Sequence, residues 1–227
     1  MPAHPLDRPV WSALSSRWRP LALGDGRALR LMPDYGPFAA AADSSLECQA
    51  ALAALEPGED GLWLVELDEA PPPAGMAVAL TAACCQMVAR AITPGEQQFA
   101  VTALAERDAP QMLALARLTR PGPFLAMTHR LGAFVGVKQD ERLVAMAGER
   151  MQPDGFTEIN GVCTHPDHRG RGYAGALMRA VAERVLARGE VPFLHVYAGH
   201  DGAIALYRSI GFQHRRQVVL TVLGNAG

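Results

Sequence analysis

Residues 165–174, HPDHRGRGYA, stand between a strand-like run, TEINGVCT, and a helix-like run, GALMRAVAERVLARG. A strand that turns through glycines straight into an amphipathic helix commits the chain to an α/β arrangement. The helix is expected from Gly172 to Arg188, because Ala174, Leu177, Met178, Val181, Ala182 and Val185 recur at the i, i+3, i+4 spacing of one apolar face. Gly189 closes it. A strand, VPFLHVY, then a helix from Asp201 as N-cap to Gly211 as stop, and a last strand, RRQVVLTVL, follow.

Upstream, FAVTAL reads as a strand, and Asp108 as the cap of a helix, APQMLALARLTR, with Pro110 tolerated in the first turn. GAFVGVK and RLVAMAGER, joined by QDE, read as an antiparallel hairpin, and FTEINGVCT as a third strand. The first ninety or so residues also alternate: WSALSSRW a short helix, RALRLM a strand, SSLECQAALAAL a helix, GLWLVELD a strand. MAVALTAACCQMVARA is ambiguous. Its alanines favour helix, whereas its Val and Thr residues and the preceding EAPPPAG loop favour a strand, most of all at its end. ITPGEQQ, residues 92–98, is polar and turn-rich, so it is the expected boundary between an α/β region at 1–92 and a domain at 97–227.

With 227 residues, 49% of them apolar, the chain can bury a substantial core. Its 21 basic and 23 acidic residues leave no global field to recruit nucleic acid or an anionic membrane, so any anion site must be local. Four cysteines without a C-x-x-C indicate neither a disulfide framework nor a cysteine zinc site. The start, MPAHPLDRPVW, lacks a signal pattern, and no apolar run of about 18 residues follows, so a cytoplasmic location is expected.

The turn itself suits an anion. A helix start presents unpaired N–H groups and partial positive charge, Gly170 and Gly172 carry no Cβ to hold a phosphate off the backbone, and Arg169 and Arg171 add charge. It is not a Walker loop, for G-K-S/T is missing, nor a dinucleotide G-x-G-x-x-G with its later acidic residue. The order of elements from TEINGVCTHP to AIALYRSIGF resembles the GNAT superfamily of acyl-CoA-dependent N-acyltransferases. The family signature R/Q-x-x-G-x-G/A stands here as Arg169, Gly172 and Ala174, and AIALYRSIGF is a second match. The resemblance runs from residue 97 to about 223. Residues 1–92 are left as an extension or as a decayed copy of the same fold.

The resemblance implies a GNAT-like α/β fold with a mostly antiparallel mixed central sheet flanked by helices, acetyl-CoA as acyl donor, and no metal. It implies that the coenzyme diphosphate sits on Arg169, Gly170, Arg171, Gly172, Tyr173, Ala174 and Gly175, and that the pantetheine arm pairs with Val162, Cys163 and Thr164. His200 stands where the family usually has an asparagine that touches the arm.

Acyl transfer to an amine needs an acceptor for the amine proton and stabilisation of the leaving thiolate. The resemblance implies that Tyr207, in the LYxxxGF tail, points at the thioester sulfur as hydrogen-bond donor or general acid; a core tyrosine on one helical face with Ile204 and Ile210 is the alternative. A phenol near pKa 10 and a thiol near 8.5 make full proton transfer uphill by about 2 kcal/mol. The resemblance implies Glu158 as candidate base, since some histone-acetyltransferase-like members carry a glutamate base at this place; by two-residue alternation it shares a face with Asn160, Val162 and Thr164, and a buried carboxylate paired with an arginine is the alternative. His165, Asp167 and His168 lack a third metal ligand nearby, and Cys163 reads as a buried small residue. TRPGPF, residues 119–124, is either a stiff acceptor-lining loop or a structural turn. The expected acceptor is a primary amine of a small molecule or peptide, with no nucleic acid or membrane partner and a homodimer left open. An acyl-CoA-binding sensor without turnover is the competing reading.

Overall fold

Thirteen consecutive uncharged residues, Met76–Val88, decide the architecture. The structure, a computed structural model, describes residues 4–69, 71–96 and 99–226. Ala70 of the EAPPPAG loop and Gln97 and Gln98 of the expected boundary lie outside the described residues. The N-terminal part holds helix α1 (Pro9–Ser15), a small antiparallel sheet of β1 (Ala22–Gly24), β2 (Ala28–Leu31) and β3 (Ala39–Ala41), and helix α2 (Leu46–Ala53). Ser45 caps α2, its Oγ accepting from the Cys48 amide at 3.3 Å. β4 (Leu62–Glu66) and β5 (Met76–Val88) follow. MAVALTAACCQMV is thus strand throughout, its alanines overridden by pairing on a neighbour.

The second part runs β6 (Thr102–Ala103), α3 (Ala109–Thr119), β7 (Phe134–Gln139), β8 (Arg142–Glu149), β9 (Phe156–Thr164), α4 (Tyr173–Ala187), β10 (Val191–Tyr197), α5 (Asp201–Ile210) and β11 (Gln213–Asn225). Among the described residues one eight-stranded sheet is ordered β4-β11-β5-β10-β9-β8-β7-β6, with β9 and β10 parallel and the other neighbours antiparallel. β5 lies between β10 and β11, so the expected boundary at 92–98 falls between strands that share this sheet.

Adjacent residues of β10 point to opposite faces and mark two cores. Leu194 joins the cluster under α4, with Leu177, Val181, Val185 and Phe212, whereas Phe193 joins Leu6, Leu14, Phe38 and Leu220 from the N-terminal part and β11. The N-terminal residues therefore cover the face opposite α4.

Four local expectations need correction. Asp108 has helical backbone angles and does not cap α3, because a 3-10 turn, Glu106–Asp108, precedes the helix. Its Oδ2 accepts from the Ala105 amide at 2.8 Å and its Oδ1 from Lys138 Nζ at 2.7 Å. Asp201 is the first residue of α5, and His200 occupies the cap position without a side-chain bond. FAVTAL shrinks to the two residues of β6. Ala174 is only half-buried, because the first turn of α4 opens onto a cavity. Between β7 and β8, Asp140 (φ 48°) and Glu141 (φ 63°) form a two-residue left-handed turn, which matches strand twist at a modest strain.

Candidate active site

β9 and β10 pair only at Phe156↔Val191, Thr157↔Pro192 and Glu158↔Phe193, after which they part. On the other side of β9 the register with β8 slips between Met146 and Gly148, opposite Gly161 at φ +64°. Such a bulge inserts one residue and inverts the side-chain alternation. Ile159 and Val162 accordingly pack with the α4 cluster, while Cys163 packs with Met112, Phe124 and Met146 beneath α3. The alternation expected to place Glu158 with Val162 and Thr164 is broken at Gly161. A side chain there would also press on Phe134, whose Cε1 lies 3.1 Å from an added Cβ.

Beside the parted strands lies a cavity of about 380 Å³, lined by residues 162–164 and 168–175. All the residues expected to hold the coenzyme are here except His200. Gly170 (φ 75°) and Gly172 (φ 77°) adopt left-handed backbone that other residues reach only with strain, and a Cβ on either would point into open space. α4 begins at Gly172 without a side-chain cap. Among the described residues no amide from 170 to 175 has an intramolecular acceptor; the first bond of the helix runs from the Ala176 amide to the Gly172 carbonyl at 3.2 Å. Those N–H groups are free for an anion.

Thr119, Pro121 and Val162 also line a second cavity of about 840 Å³, so the two cavities are neighbours that share a wall at the strand opening. Tyr207 lines it half-buried, and its hydroxyl has no hydrogen-bond partner among the described residues. Burial pushes its phenol above the ordinary tyrosine range, so it stays protonated. His200 lines this larger space, its ring edge-on to Tyr197 with centroids 5.8 Å apart. TRPGPF borders it as well. Sequence reasoning missed Phe38 and Trp63, which reach it from the N-terminal part, and the residues Arg150 and His195.

Glu158 lines neither cavity. It is fully buried, accepts from Arg150 Nε at 2.8 Å and Nη2 at 3.0 Å, and pairs with His195 Nδ1 at 2.9 Å. Burial alone would raise its pKa, but the Arg150 charge and the His195 contact outweigh that and hold it at about 2. Glu158 thus stands in the arrangement of the alternative reading, a buried carboxylate paired with an arginine, and a carboxyl so placed is a poor proton acceptor. Gln86 lies beyond it: its Oε1 accepts from Arg215, so its amide nitrogen, 3.1 Å from His195 Nε2, is the donor to that ring. Nδ1–H of His195 is then left for Glu158. Arg215 in turn reaches Asp7 at 2.7 Å.

Cys163 is buried, and desolvation raises its thiol to about 11, which leaves no thiolate for an acyl relay. His165 is occupied locally, its Nδ1 accepting from the Asp167 amide at 3.3 Å.

Free amides in one cavity and an unbonded phenol in its neighbour suit a long substrate with an anionic end and a reactive end. That is the demand made by transferases that take a group from a nucleotide-linked carrier. Residues 134–220 match the family model described as FR47-like protein. A GNAT-family protein from Novosphingobium aromaticivorans is 46% identical, covers 99% of this chain and 100% of its own, and superposes with a TM-score of 0.92. The chain belongs to the GNAT family. The N-alpha-acetyltransferase RimI of Mycobacterium tuberculosis is 35% identical over 101 residues, 41% of this chain and 62% of the length of that relative. A GCN5-related N-acetyltransferase from Kribbella flavida, 22% identical over 99% of this chain and 97% of its own, shares the fold with a TM-score of 0.65.

Proposed function

We propose that the protein is an N-acetyltransferase that moves the acetyl group of acetyl-CoA to a primary amine of a small molecule or peptide. The observation that carries this reading is the row of unpaired amides at residues 170–175, in a cavity that shares a wall with the one lined by Tyr207. The diphosphate lies on those amides, and the pantetheine arm runs along residues 162–164, which have no β10 partner. The neutral amine attacks the thioester carbonyl; the carbon–sulfur bond breaks, and the nitrogen gives up one proton. Tyr207 donates a hydrogen bond to the departing sulfur. Its raised pKa makes complete proton transfer less favourable still, so it stabilises thiolate rather than acting as a full acid. With Glu158 engaged, the amine proton passes to water in the open cleft.

Tyr207→Phe is expected to lower kcat by roughly a hundredfold while acetyl-CoA affinity stays within about twofold. Thiol release and calorimetry read the two quantities separately. Equal kcat in the variant would remove Tyr207 from the chemistry. The burial of Glu158 favours one second reading, an acyl-CoA sensor without turnover. Sustained thiol release over a broad amine panel excludes it.

A further inference from the structure

The larger cavity is walled by two different parts of the chain. Phe38 and Trp63 reach it from the N-terminal part, and Phe124 and Leu220 add apolar surface. Among the described residues its charges are unbalanced: Arg117 and Arg120 line it against one acidic residue, Asp60, while the charge of Arg150 is already matched by Glu158. Arg117 and Arg120 sit at the end of α3, are exposed, and among the described residues their guanidinium groups form no ion pair or hydrogen bond. Neither lines the smaller cavity, where the diphosphate amides lie. Their charge is therefore directed to the acceptor side.

Arg150 adds an independent observation. It is 5% exposed, its Nε and Nη2 are taken by Glu158, and its Nη1 has no hydrogen-bond partner among the described residues. The guanidinium lies over the Phe38 ring, Cζ 4.6 Å from the centroid, so an acceptor that shifts this ring gains the unused donor.

Resting on the acetyl-transfer reading, we infer that the acceptor is an apolar amino-carboxylate. Its carboxylate is held by Arg117 and Arg120, with the unused Nη1 of Arg150 as a further donor, and its hydrocarbon body lies against Phe38 and Trp63. Arginine forks match carboxylates in a bidentate manner, and a cleft of this sign disfavours di- and polyamines. The residues before position 92 thus acquire a task, shaping the acceptor wall.

The test compares phenylalanine, leucine and methionine with the amines that lack only the carboxylate, by acetyl-CoA-dependent thiol release. The best amino acid is expected to exceed its decarboxylated partner at least tenfold in kcat/KM. Combined Arg117→Gln and Arg120→Gln, at exposed positions, is expected to reduce that ratio at least tenfold. Higher activity on the decarboxylated amines, turnover confined to peptides, or a ratio unchanged in the double variant each overturn the acceptor inference and leave acetyl transfer standing. Absence of thiol release with every amine, together with normal acetyl-CoA binding by calorimetry, overturns both.

Discussion

Gly172→Glu is expected to weaken acetyl-CoA binding by at least a hundredfold, as read by calorimetry. A carboxylate at the cap position of α4 would stand within a few ångströms of the proposed diphosphate position, where like charges near a protein surface repel by about 4 kcal/mol. The left-handed backbone, φ 77°, adds a strain of roughly 1–2 kcal/mol for any residue with a Cβ, enough to lower the melting temperature by only a few degrees. Gly172→Ala carries the same strain without the charge, and its Cβ meets no atom within 4 Å. It should bind within about tenfold of the parent. Equal affinity in Gly172→Glu would place the coenzyme elsewhere.

The second large effect concerns stability. Glu158→Gln leaves the Arg150 guanidinium buried without a compensating charge and should cost about 3–5 kcal/mol in denaturant unfolding. Replacing both partners, Glu158→Leu with Arg150→Met, should cost less than that single change, since no orphaned charge remains. The parent's pH dependence follows from the same pair. A carboxyl at 4.5 when unfolded and about 2 when folded contributes stability that is fully present above pH 4.5 and is lost as pH falls towards 2. By that linkage the contribution is on the order of 3 kcal/mol. Unfolding curves across this window should flatten in Glu158→Gln. A variant as acid-sensitive as the parent would show that another group governs the acid limb.

Much of the second part of the chain was legible because its signals are local. The helix at α4, the hairpin of β7 and β8, and the glycines at 170 and 172 each declare themselves within a few residues through periodicity or turn chemistry. Of the residues that line the two cavities, the turn and Tyr207 stood out in the sequence because they sit inside contiguous motifs. What failed depended on distant partners. Glu158 reads as a base until Arg150, eight residues away, and His195, 37 residues away, close around it. The inverted alternation came from one bulge at Gly161, which a regular two-residue period does not anticipate. Phe38 and Trp63 carry no motif, and their approach to the cavity depends on how the N-terminal part covers the sheet.

The placement of Met76–Val88 has a consequence for how the molecule must be assembled. This strand precedes the 134–220 stretch, yet it bridges β10 and β11. A fragment beginning at Phe99 would leave β10 with a bare edge and β11 without the neighbour it follows along its whole length, so it should emerge as an aggregating species. Native pairing also waits on synthesis: Gln86 can meet Arg215 only after a further 129 residues have been made, so the central strand cannot gain its β11 neighbour before the chain is nearly complete.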